Sequence, residues 1–281
     1  GNFDGVHSGH QKLFKLAKLY KKKYKIKIGV VNFDPMPKMF FNKLLKNFRI
    51  TSINQKIELL SKLKVDFIIT KKFDKKFSKT KSINFINEIL NKKLKSKFIF
   101  VSNNFRFGNK REGNVKQLIE FENRCKYKII KPKPLIVKRK IISSTLIRNY
   151  LQLGKLKEAN KLLNRSWSIE GKVQRGKQLG KKIGFPTANI DIKNYVLACP
   201  GVYGVKAKIS KSLKTIKGIA NLGYRPTFNG KKILLEVHLF NFSGNLYNKD
   251  LTVNFLKFIR KEKKFRNVTQ LKKQIKIDLL K

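Results

Sequence analysis

The residues whose types best suit chemistry open the sequence, in Gly-Asn-Phe-Asp-Gly-Val-His-Ser-Gly-His at residues 1–10, which we name the histidine loop. It contains two of the chain's three histidines, His7 and His10, and leads into a stretch with the apolar spacing of a helix. Glycines let a backbone approach phosphate oxygens, and a helix N-terminus offers unpaired N–H groups. Two imidazoles there would stabilise negative charge on a phosphate during its transfer. The competing interpretation is a glycine turn whose histidines only cap the helix.

A second polar segment, Ser-Ser-Thr-Leu-Ile-Arg at residues 143–148, stands at another predicted helix start. Its hydroxyls and the guanidinium of Arg148 suit a triphosphate, because the guanidinium fork matches phosphate oxygens. An ordinary N-cap explains the same Ser and Thr residues, since these types favour that position in any helix. The segment alone leaves both interpretations open.

Oxygen ligands for a cation are predicted in Gly-Phe-Pro-Thr-Ala-Asn at residues 184–189. In an extended segment, Thr187 and Asn189 are two positions apart and point to the same side. A hydroxyl and an amide oxygen are hard ligands, which Mg²⁺ accepts between phosphate groups. Gly176 and Gly180 precede them in a loop that would close over those phosphates. The alternative is a Pro-Thr turn with an Asx hydrogen bond.

A candidate base stands on an alternating strand, Leu-Glu-Val-His-Leu at residues 235–239. Its apolar side chains face one side, and Glu236 and His238 face the other. The chain has only 16 acidic residues, so a carboxylate on a core strand is a candidate for accepting a substrate's hydroxyl proton. The alternative is a solvated strand face.

Two kinds of domain are predicted to position these segments. Up to residue 164, helices and strands alternate, which predicts a parallel sheet covered on both faces, with ligands at the carboxyl ends of its strands. The predicted strands are residues 26–33, 66–70, 98–101 and 127–130, and the predicted helices are residues 11–22, 53–63, 82–94 and 151–164.

From residue 165 onwards, strand-like runs follow one another with glycine-rich turns between them. This pattern predicts a small antiparallel barrel. Its predicted strands are residues 167–173, 202–209, 215–222, 234–240 and 251–258, and a final helix is predicted over residues 268–280. We therefore predict two domains, residues 1–164 and residues 165–281.

The net charge of +51 is typical of a protein that binds a negatively charged partner, such as nucleic acid or an anionic membrane. However, lysines recur from Lys12 to Lys281 instead of forming one stripe, so we predict no specific nucleic-acid partner. No run of 18 apolar residues is present, which predicts no membrane span. Cys125 and Cys199 have neither metal-ligand nor paired spacing, which fits a reduced cytoplasm. The sequence leaves the oligomeric state open.

Together, the histidine loop and residues 143–148 resemble nucleotidyltransferases with His-x-Gly-His and Ser-Ser-Thr-x-Ile-Arg, specifically the prokaryotic bifunctional riboflavin kinase/FAD synthetases. Further motifs strengthen the resemblance: residues 33–37, 104–108, 186–189, 200–204, 221–228 and the Glu236 strand. They follow the family's order over essentially the whole chain. The resemblance implies an α/β nucleotidyltransferase domain with a Rossmann-like parallel sheet, followed by a six-stranded antiparallel β-barrel riboflavin kinase domain with a C-terminal helix.

The resemblance also implies the activities and the residues that carry them. One domain phosphorylates riboflavin to FMN with ATP and Mg²⁺, and the other adenylylates FMN with ATP to give FAD and pyrophosphate. The implied kinase base is Glu236, the Mg²⁺ ligands are Thr187 and Asn189, and adenylyl transfer uses His7 and His10. Implied ATP-binding residues are Gly1, Asp4, Gly5, Gly9, Ser143, Ser144, Thr145, Arg148, Gly176 and Gly180. Implied flavin-binding residues are Phe33, Pro35, Asn104, Phe105, Phe107 and Arg225.

Three positions depart from the family pattern. Asn104 and Asn114 stand where members commonly have acidic residues, and Met36 stands where many have His. Asparagine holds magnesium less strongly than a carboxylate, but the FMN phosphate is already an anionic nucleophile. These departures therefore bear on rate and not on reaction type. Two alternatives remain: an enzyme with only one active half, and a polyanion-binding protein that retains the enzyme's fold.

The beginning of the sequence lies inside the histidine loop. A phosphate-binding loop of this kind joins the end of one strand to the start of a helix. We therefore expect an apolar strand upstream of Gly1, missing from the given sequence. We also expect its restoration to raise FAD synthesis much more than FMN synthesis.

Overall fold

A computed structural model describes residues 1–176, 178–192, 194–210, 212, 214–227 and 230–280. The chain forms two compact units, one comprising Gly1–Leu45 with Lys56–Ile142 and the other Lys46–Gln55 with Ser143–Lys281. The stretch Lys46–Gln55 thus belongs to the C-terminal unit although the first unit surrounds it in sequence. The predicted domain boundary between residues 164 and 165 stays a prediction.

Helices and short strands alternate before residue 143, as predicted. The helices are α1 (Ser8–Tyr24), α2 (Pro37–Phe41), α3 (Ile53–Lys62), α4 (Lys75–Ser78), α5 (Ser82–Asn84), α6 (Val115–Glu120) and α7 (Glu122–Cys125), with a π-helix at Phe85–Lys93 and a 3-10 turn at Asn109–Arg111. The strands are β1 (Gly29–Asp34), β2 (Phe67–Lys72), β3 (Phe98–Phe100), β4 (Arg106–Phe107), β5 (Gly113–Asn114), β6 (Lys128–Ile130), β7 (Ile136–Val137) and β8 (Lys140–Ile141).

The predicted parallel pairing is confirmed, and it is divided between two pairs of strands. β1 runs parallel to β2, and β3 runs parallel to β6. Phe100 at the end of β3 packs against the core formed by Phe14, Ala17 and Val30, so β3 contributes to the same hydrophobic layer as α1 and β1. A second core surrounds the π-helix and contains Leu118. The short antiparallel pairs β4–β5 and β7–β8 are not part of the sequence prediction.

The single helix predicted over residues 151–164 is wrong. Two helices occupy this region, α8 (Ser144–Gln152) and α9 (Leu156–Leu163). Gly154 separates them with a φ of 71°, a left-handed conformation that glycine adopts at little cost and that commonly ends a helix. The apolar spacing is nevertheless real, because Leu151, Leu156 and Leu163 are all buried.

Six antiparallel strands of the second unit close into a barrel in the order β10-β13-β12-β11-β14-β9. They are β9 (Trp167–Gln174), β10 (Ala188–Asp191), β11 (Gly201–Ile209), β12 (Thr215–Thr227), β13 (Gly230–Leu239) and β14 (Asp250–Lys261); the short helix α10 (Leu179–Lys182) precedes β10, and α11 (Val268–Leu279) follows β14. The predicted strands and final helix are confirmed. The aromatic rings of Trp167, Tyr203 and Phe255 pack together in the core.

The stretch Lys46–Gln55, which we name the inserted segment, is hydrogen-bonded to buried groups of the barrel. The Trp167 indole N–H donates to the Ile50 carbonyl at 3.0 Å. The Tyr195 hydroxyl donates to Gln55 Oε1 at 2.8 Å. Buried polar groups require such partners, and the inserted segment supplies acceptors for these two donors of the barrel unit.

Candidate functional site

A cavity of about 320 Å³ lies against β10, β12 and β13 of the barrel, and we name it the barrel cavity. Four residues that the sequence assigned to one site all line it: Gly180, Thr187, Asn189 and Glu236. Helix α11 closes one side with Leu271, Ile275 and Asp278, whose spacing places them on one helix face. The structure therefore brings the predicted kinase residues together.

Strand register positions the polar groups of the barrel cavity. Glu236 on β13 is directly opposite Asn189 on β10 and directly opposite Asn221 on β12. Residues directly opposite each other in neighbouring strands point to the same face of a sheet. The three side chains thus form one polar row across three strands. Leu235 and Val237, the neighbours of Glu236 along β13, are buried in the barrel.

Asn189 has a feature that points to a bound cation. Its side chain is 6% exposed, and its Oδ1 has no hydrogen-bond partner among the described residues. A buried polar oxygen is costly to leave unsatisfied, and an amide oxygen is a hard ligand suited to Mg²⁺. The donor set of Asn189 and Thr187 therefore fits the ion that the sequence predicted. No cluster of three or more His, Cys, Asp and Glu side chains in the described ranges is arranged to hold a metal.

The glycine-rich loop before β10 packs closely on these ligands. A Cβ added to Gly176 would lie 2.5 Å from Asn189 Nδ2, so a larger residue there would displace the amide. The Gly180 carbonyl accepts a hydrogen bond from Phe185 N–H at 2.8 Å. The two predicted ATP-binding glycines thus lie in a loop that packs beside Asn189 and the Phe185 backbone.

A second carboxylate, Glu262, lines the barrel cavity and was not identified from the sequence. Burial raises the pKa of Glu262, a hydrogen bond with the Asn221 side chain opposes this rise, and the negative charge of Glu236 adds to it. Asn221 therefore links Glu236, its cross-strand neighbour, to Glu262 just beyond β14. Asn221 begins the motif at residues 221–228 but was not predicted as a site residue, and Glu262 stands in no pattern that distinguishes it from other polar residues.

An ion pair attaches α11 to the barrel beside the cavity. The Arg260 guanidinium donates to both carboxylate oxygens of Asp278, at 2.7–3.0 Å. Asp278 is 1% exposed, and Gln274 also donates to it at 3.0 Å. A bidentate pair of this kind fixes orientation as well as distance. The helix face that lines the cavity is held in place by this pair.

The histidine loop brings its two predicted catalytic histidines into contact. The rings of His7 and His10 are stacked with centroids 3.6 Å apart, and Phe3 packs edge-on against His10. Burial lowers the pKa of His10 well below its usual range, with further lowering by the charges of His7 and Lys56. The His10 imidazole is therefore neutral near pH 7 and holds one N–H donor.

The other predicted ATP-binding residues of the loop surround these rings. Asp4 and Gly5 are buried, and Gly9 lies against the His7 ring within the first turn of α1. The Gly1 amino group donates to the Val31 carbonyl of β1 at 2.7 Å. Lys56 on α3, only 2% exposed, was not identified from the sequence, because a lysine in a lysine-rich chain carries no signal.

Residues 143–148 belong to the second unit, where they begin α8. Ser143 is its N-cap, with Oγ accepting from Leu146 N–H at 3.2 Å, as the N-cap interpretation requires. Ser144 is half-buried and Thr145 exposed. The Arg148 guanidinium stacks 3.7 Å above the Phe48 ring, and its Nε donates to the Phe48 carbonyl at 2.8 Å. ATP binding by these residues stays a prediction.

The predicted flavin-binding residues lie in three places. Phe33 is half-buried beside the rings of Phe73 and Phe77, and Pro35 follows Asp34 through a cis peptide bond. Phe105 and Phe107 are stacked with centroids 5.6 Å apart.

Of the stacked rings, Phe107 is buried in a core cluster and Phe105 is half-buried. Asn104 is exposed, and Asn114 caps α6 by accepting from Gln117 N–H at 3.0 Å. Arg225 lies on β12, and its side chain, like Phe228 of the same motif, lies outside the described part of the chain.

Comparison with known proteins decides the family. The FAD synthetase family model matches residues 1–146, and the riboflavin kinase family model matches residues 163–281. A bifunctional riboflavin kinase/FMN adenylyltransferase from Buchnera aphidicola subsp. Schizaphis graminum is 44% identical over 99% of this chain and 90% of its own. The protein of that name from Escherichia coli K12 is 35% identical over 100% of this chain and 89% of its own.

This chain belongs to the bifunctional riboflavin kinase/FAD synthetase family. It is a transferase with two activities, riboflavin kinase and FMN adenylyltransferase. A crystal structure of a macrolide-efflux protein from Streptococcus pneumoniae shares the fold of this bifunctional enzyme, with a TM-score of 0.86 and 30% identity over 100% of this chain and 91% of that one. Among the described residues of the enzyme, no helix is long and apolar enough to cross a membrane.

Proposed function

We propose that the barrel cavity is where riboflavin is phosphorylated to FMN. Thr187 and Asn189 would hold Mg²⁺ with ATP, and Glu236 accepts the proton of the ribityl 5′-hydroxyl as its oxygen attacks the γ-phosphorus. The bond from the γ-phosphorus to the bridging oxygen breaks, and ADP leaves. Mg²⁺ supplies charge neutralisation at the phosphate oxygens when it is bound.

One observation carries this proposal: the polar row places Glu236 directly opposite Asn189, whose buried Oδ1 has no hydrogen-bond partner within the described part of the chain. A base on one strand can accept the proton of the attacking hydroxyl while a cation ligand on the adjacent strand acts at the phosphates of ATP. Apolar side chains of the same cavity, including Ile183, Phe185 and Leu271, suit a flat flavin ring.

We also propose that the histidine loop stabilises adenylyl transfer to FMN. A phosphate oxygen of FMN attacks the α-phosphorus of ATP, and the bond to pyrophosphate breaks. Because the FMN phosphate is already anionic, this step requires no carboxylate base, which is compatible with Asn104. His7 and His10 donate N–H groups to α-phosphate oxygens, and the N-terminus of α1 adds its positive dipole end.

The direct test follows both reactions in the full-length protein. Incubation with riboflavin, ATP and MgCl₂, with the flavins separated over time, should show FMN first and FAD later. Asn189→Ala should raise the Mg²⁺ concentration for half-maximal FMN formation by roughly tenfold or more, because loss of metal-site partners weakens binding on that scale. Asn254→Ala is the matched control, since that asparagine donates to the Lys206 carbonyl away from the cavity. An unchanged Mg²⁺ requirement in Asn189→Ala would contradict the ligand assignment.

We propose that the partners of this enzyme are small molecules and that its location is the cytoplasm, where ATP is abundant. Cys125 and Cys199 are free, and cysteines stay reduced in that compartment.

Nucleic acid is not proposed as a specific partner, because the positive charge is dispersed. Any binding to nucleic acid should be independent of sequence and fall steeply between 50 and about 200 mM salt as counterions are released. Tight, sequence-preferring binding at the higher salt would favour a polyanion-binding function instead.

A further inference from the structure

His238 is the one histidine outside the histidine loop, and it lines the barrel cavity. It stands two residues after Glu236 on β13, so both side chains point to the same face of the strand. The His238 Nδ1 lies 2.8 Å from the Pro186 carbonyl oxygen. A carbonyl oxygen only accepts, so Nδ1 carries the hydrogen of this bond. The Phe185 ring packs edge-on against the His238 ring, with centroids 5.7 Å apart.

This hydrogen bond lies where the backbone ladder ends. The β10–β13 pairing runs from Asp191 opposite Leu234 to Ala188 opposite Val237. The next residues, Thr187 and Pro186, lie outside β10, and Pro186 has no N–H to donate. The His238 side chain therefore attaches the segment beyond the last ladder pair. The attached carbonyl belongs to the peptide bond that leads directly into Thr187.

We infer that His238 is a positioning residue of the kinase site, whose Nδ1–H holds the Pro186–Thr187 peptide against the strand that bears Glu236. This inference rests on the proposed function of the barrel cavity. His238 fixes Thr187, a proposed cation ligand, relative to the base two residues away. It takes no proton from the substrate and transfers none. A displacement of about 1 Å between reacting groups costs on the order of 100-fold in rate, so loss of this one hydrogen bond should lower the rate of FMN formation strongly.

The test compares three variants of the full-length protein. In Asn, the side-chain amide nitrogen stands two bonds from Cβ, as Nδ1 does in His, and it donates a hydrogen bond without titrating near neutral pH. His238→Asn should therefore keep kcat/KM for FMN formation within about threefold of the wild type, since an N–H donor remains near the Pro186 carbonyl. His238→Ala and His238→Phe should each lose roughly 100-fold. Phe keeps the ring contact with Phe185, so its loss separates the hydrogen bond from packing.

Mg²⁺ dependence gives a second measurement. If Thr187 is displaced, excess Mg²⁺ should restore part of the FMN formation of His238→Ala and none of that of Glu236→Gln. FAD synthesis from supplied FMN, measured in the same samples, reports that each variant is folded. Asn254→Ala, which removes another side-chain bond to a barrel carbonyl, should leave both activities unchanged.

Each other outcome contradicts a specific claim. Wild-type FMN formation in His238→Ala would overturn the positioning role and leave the Glu236 assignment intact. Equal losses in His238→Asn and His238→Ala would overturn it as well, because a retained N–H donor would then make no difference. Full FMN formation in Glu236→Gln would instead overturn the proposed base, whatever the His238 variants do.

Discussion

The barrel cavity and the histidine loop reach their chemistry by different structural routes. In the barrel, Asn189, Glu236 and Asn221 occupy one row of three paired strands, so backbone hydrogen bonds fix their spacing. In the histidine loop, His7 and His10 lie close in sequence, and contact between their rings positions them. In a site built on register, the backbone ladder fixes the spacing of the side chains, whereas a site built on ring packing depends on the side chains around the rings. A substitution in one of the two sites should therefore impair the reaction of that site and leave the other reaction intact.

The largest separation is expected from Glu236→Gln. It removes the proposed base and keeps the shape of the side chain, so FMN formation should fall by about 10² to 10⁴-fold. FAD synthesis from supplied FMN should be unchanged, because Glu236 belongs to the barrel unit. Both rates are measured by flavin chromatography on one preparation. Loss of both activities in folded protein would refute the assignment of two separate sites.

The reverse separation is expected from His10→Ala. It removes an N–H donor and the ring that stacks on His7, and FAD synthesis should fall by about 10² to 10³-fold. FMN formation from riboflavin should continue at the wild-type rate. A variant that still makes FAD at the wild-type rate would show that His10 takes no part in adenylyl transfer.

A smaller effect, confined to the barrel, is expected from Asp278→Asn. It breaks the bidentate pair with Arg260 at a side chain that is 1% exposed, which should cost about 3 kcal/mol of unfolding free energy. FMN formation should fall as α11 loosens, and FAD synthesis should persist. The matched control is Glu58→Gln, which removes an exposed pair with Lys62 on α3 and should not change stability measurably. Denaturant unfolding of both variants measures the difference, and equal stabilities would contradict it.

The smallest expected effect concerns pH and the histidine loop. Burial lowers the pKa of His10, with further lowering by His7 and Lys56, so the unfolded chain takes up a proton near pH 6.5 while the folded chain does not. Stability contributed by neutral His10 is therefore present above about pH 6.5 and is lost as the pH falls below it. Thermal unfolding at two pH values on either side should show a larger acid-induced drop in wild type than in His10→Asn. Equal drops would mean that His10 titrates normally.

The comparison also explains what the sequence reveals. Thr187, Asn189 and Glu236 are identifiable because alternation along a strand shows which side chains share a face, and the structure confirms that they line one cavity. The parallel pairs and the barrel follow from apolar patterns for the same reason. These signals are local and repeat with the period of the element that produces them.

The features that the sequence did not reveal depend on contacts between distant residues. β10 is only four residues long and its first three residues are all buried, so the sequence did not predict it as a strand. Asn221 and Glu262 become part of the site only through the register of β12 and the path of the chain after β14. The helix break at Gly154 was missed because the apolar spacing continues across it. Lys56 is identified only by its burial.

The inserted segment has a consequence for the order in which this protein matures on the ribosome. Residues 46–55 emerge early, but Trp167, which donates to Ile50, is synthesised more than a hundred residues later. Until then, the segment lacks its hydrogen-bond partners in the barrel, although it lies in sequence between the two stretches of the first unit. We expect a nascent chain released before Trp167 to be cleaved by protease within this segment, and the released full-length chain to be protected there. Residues of the barrel, which are synthesised later, thus hold the inserted segment, which is synthesised earlier, by hydrogen bonds.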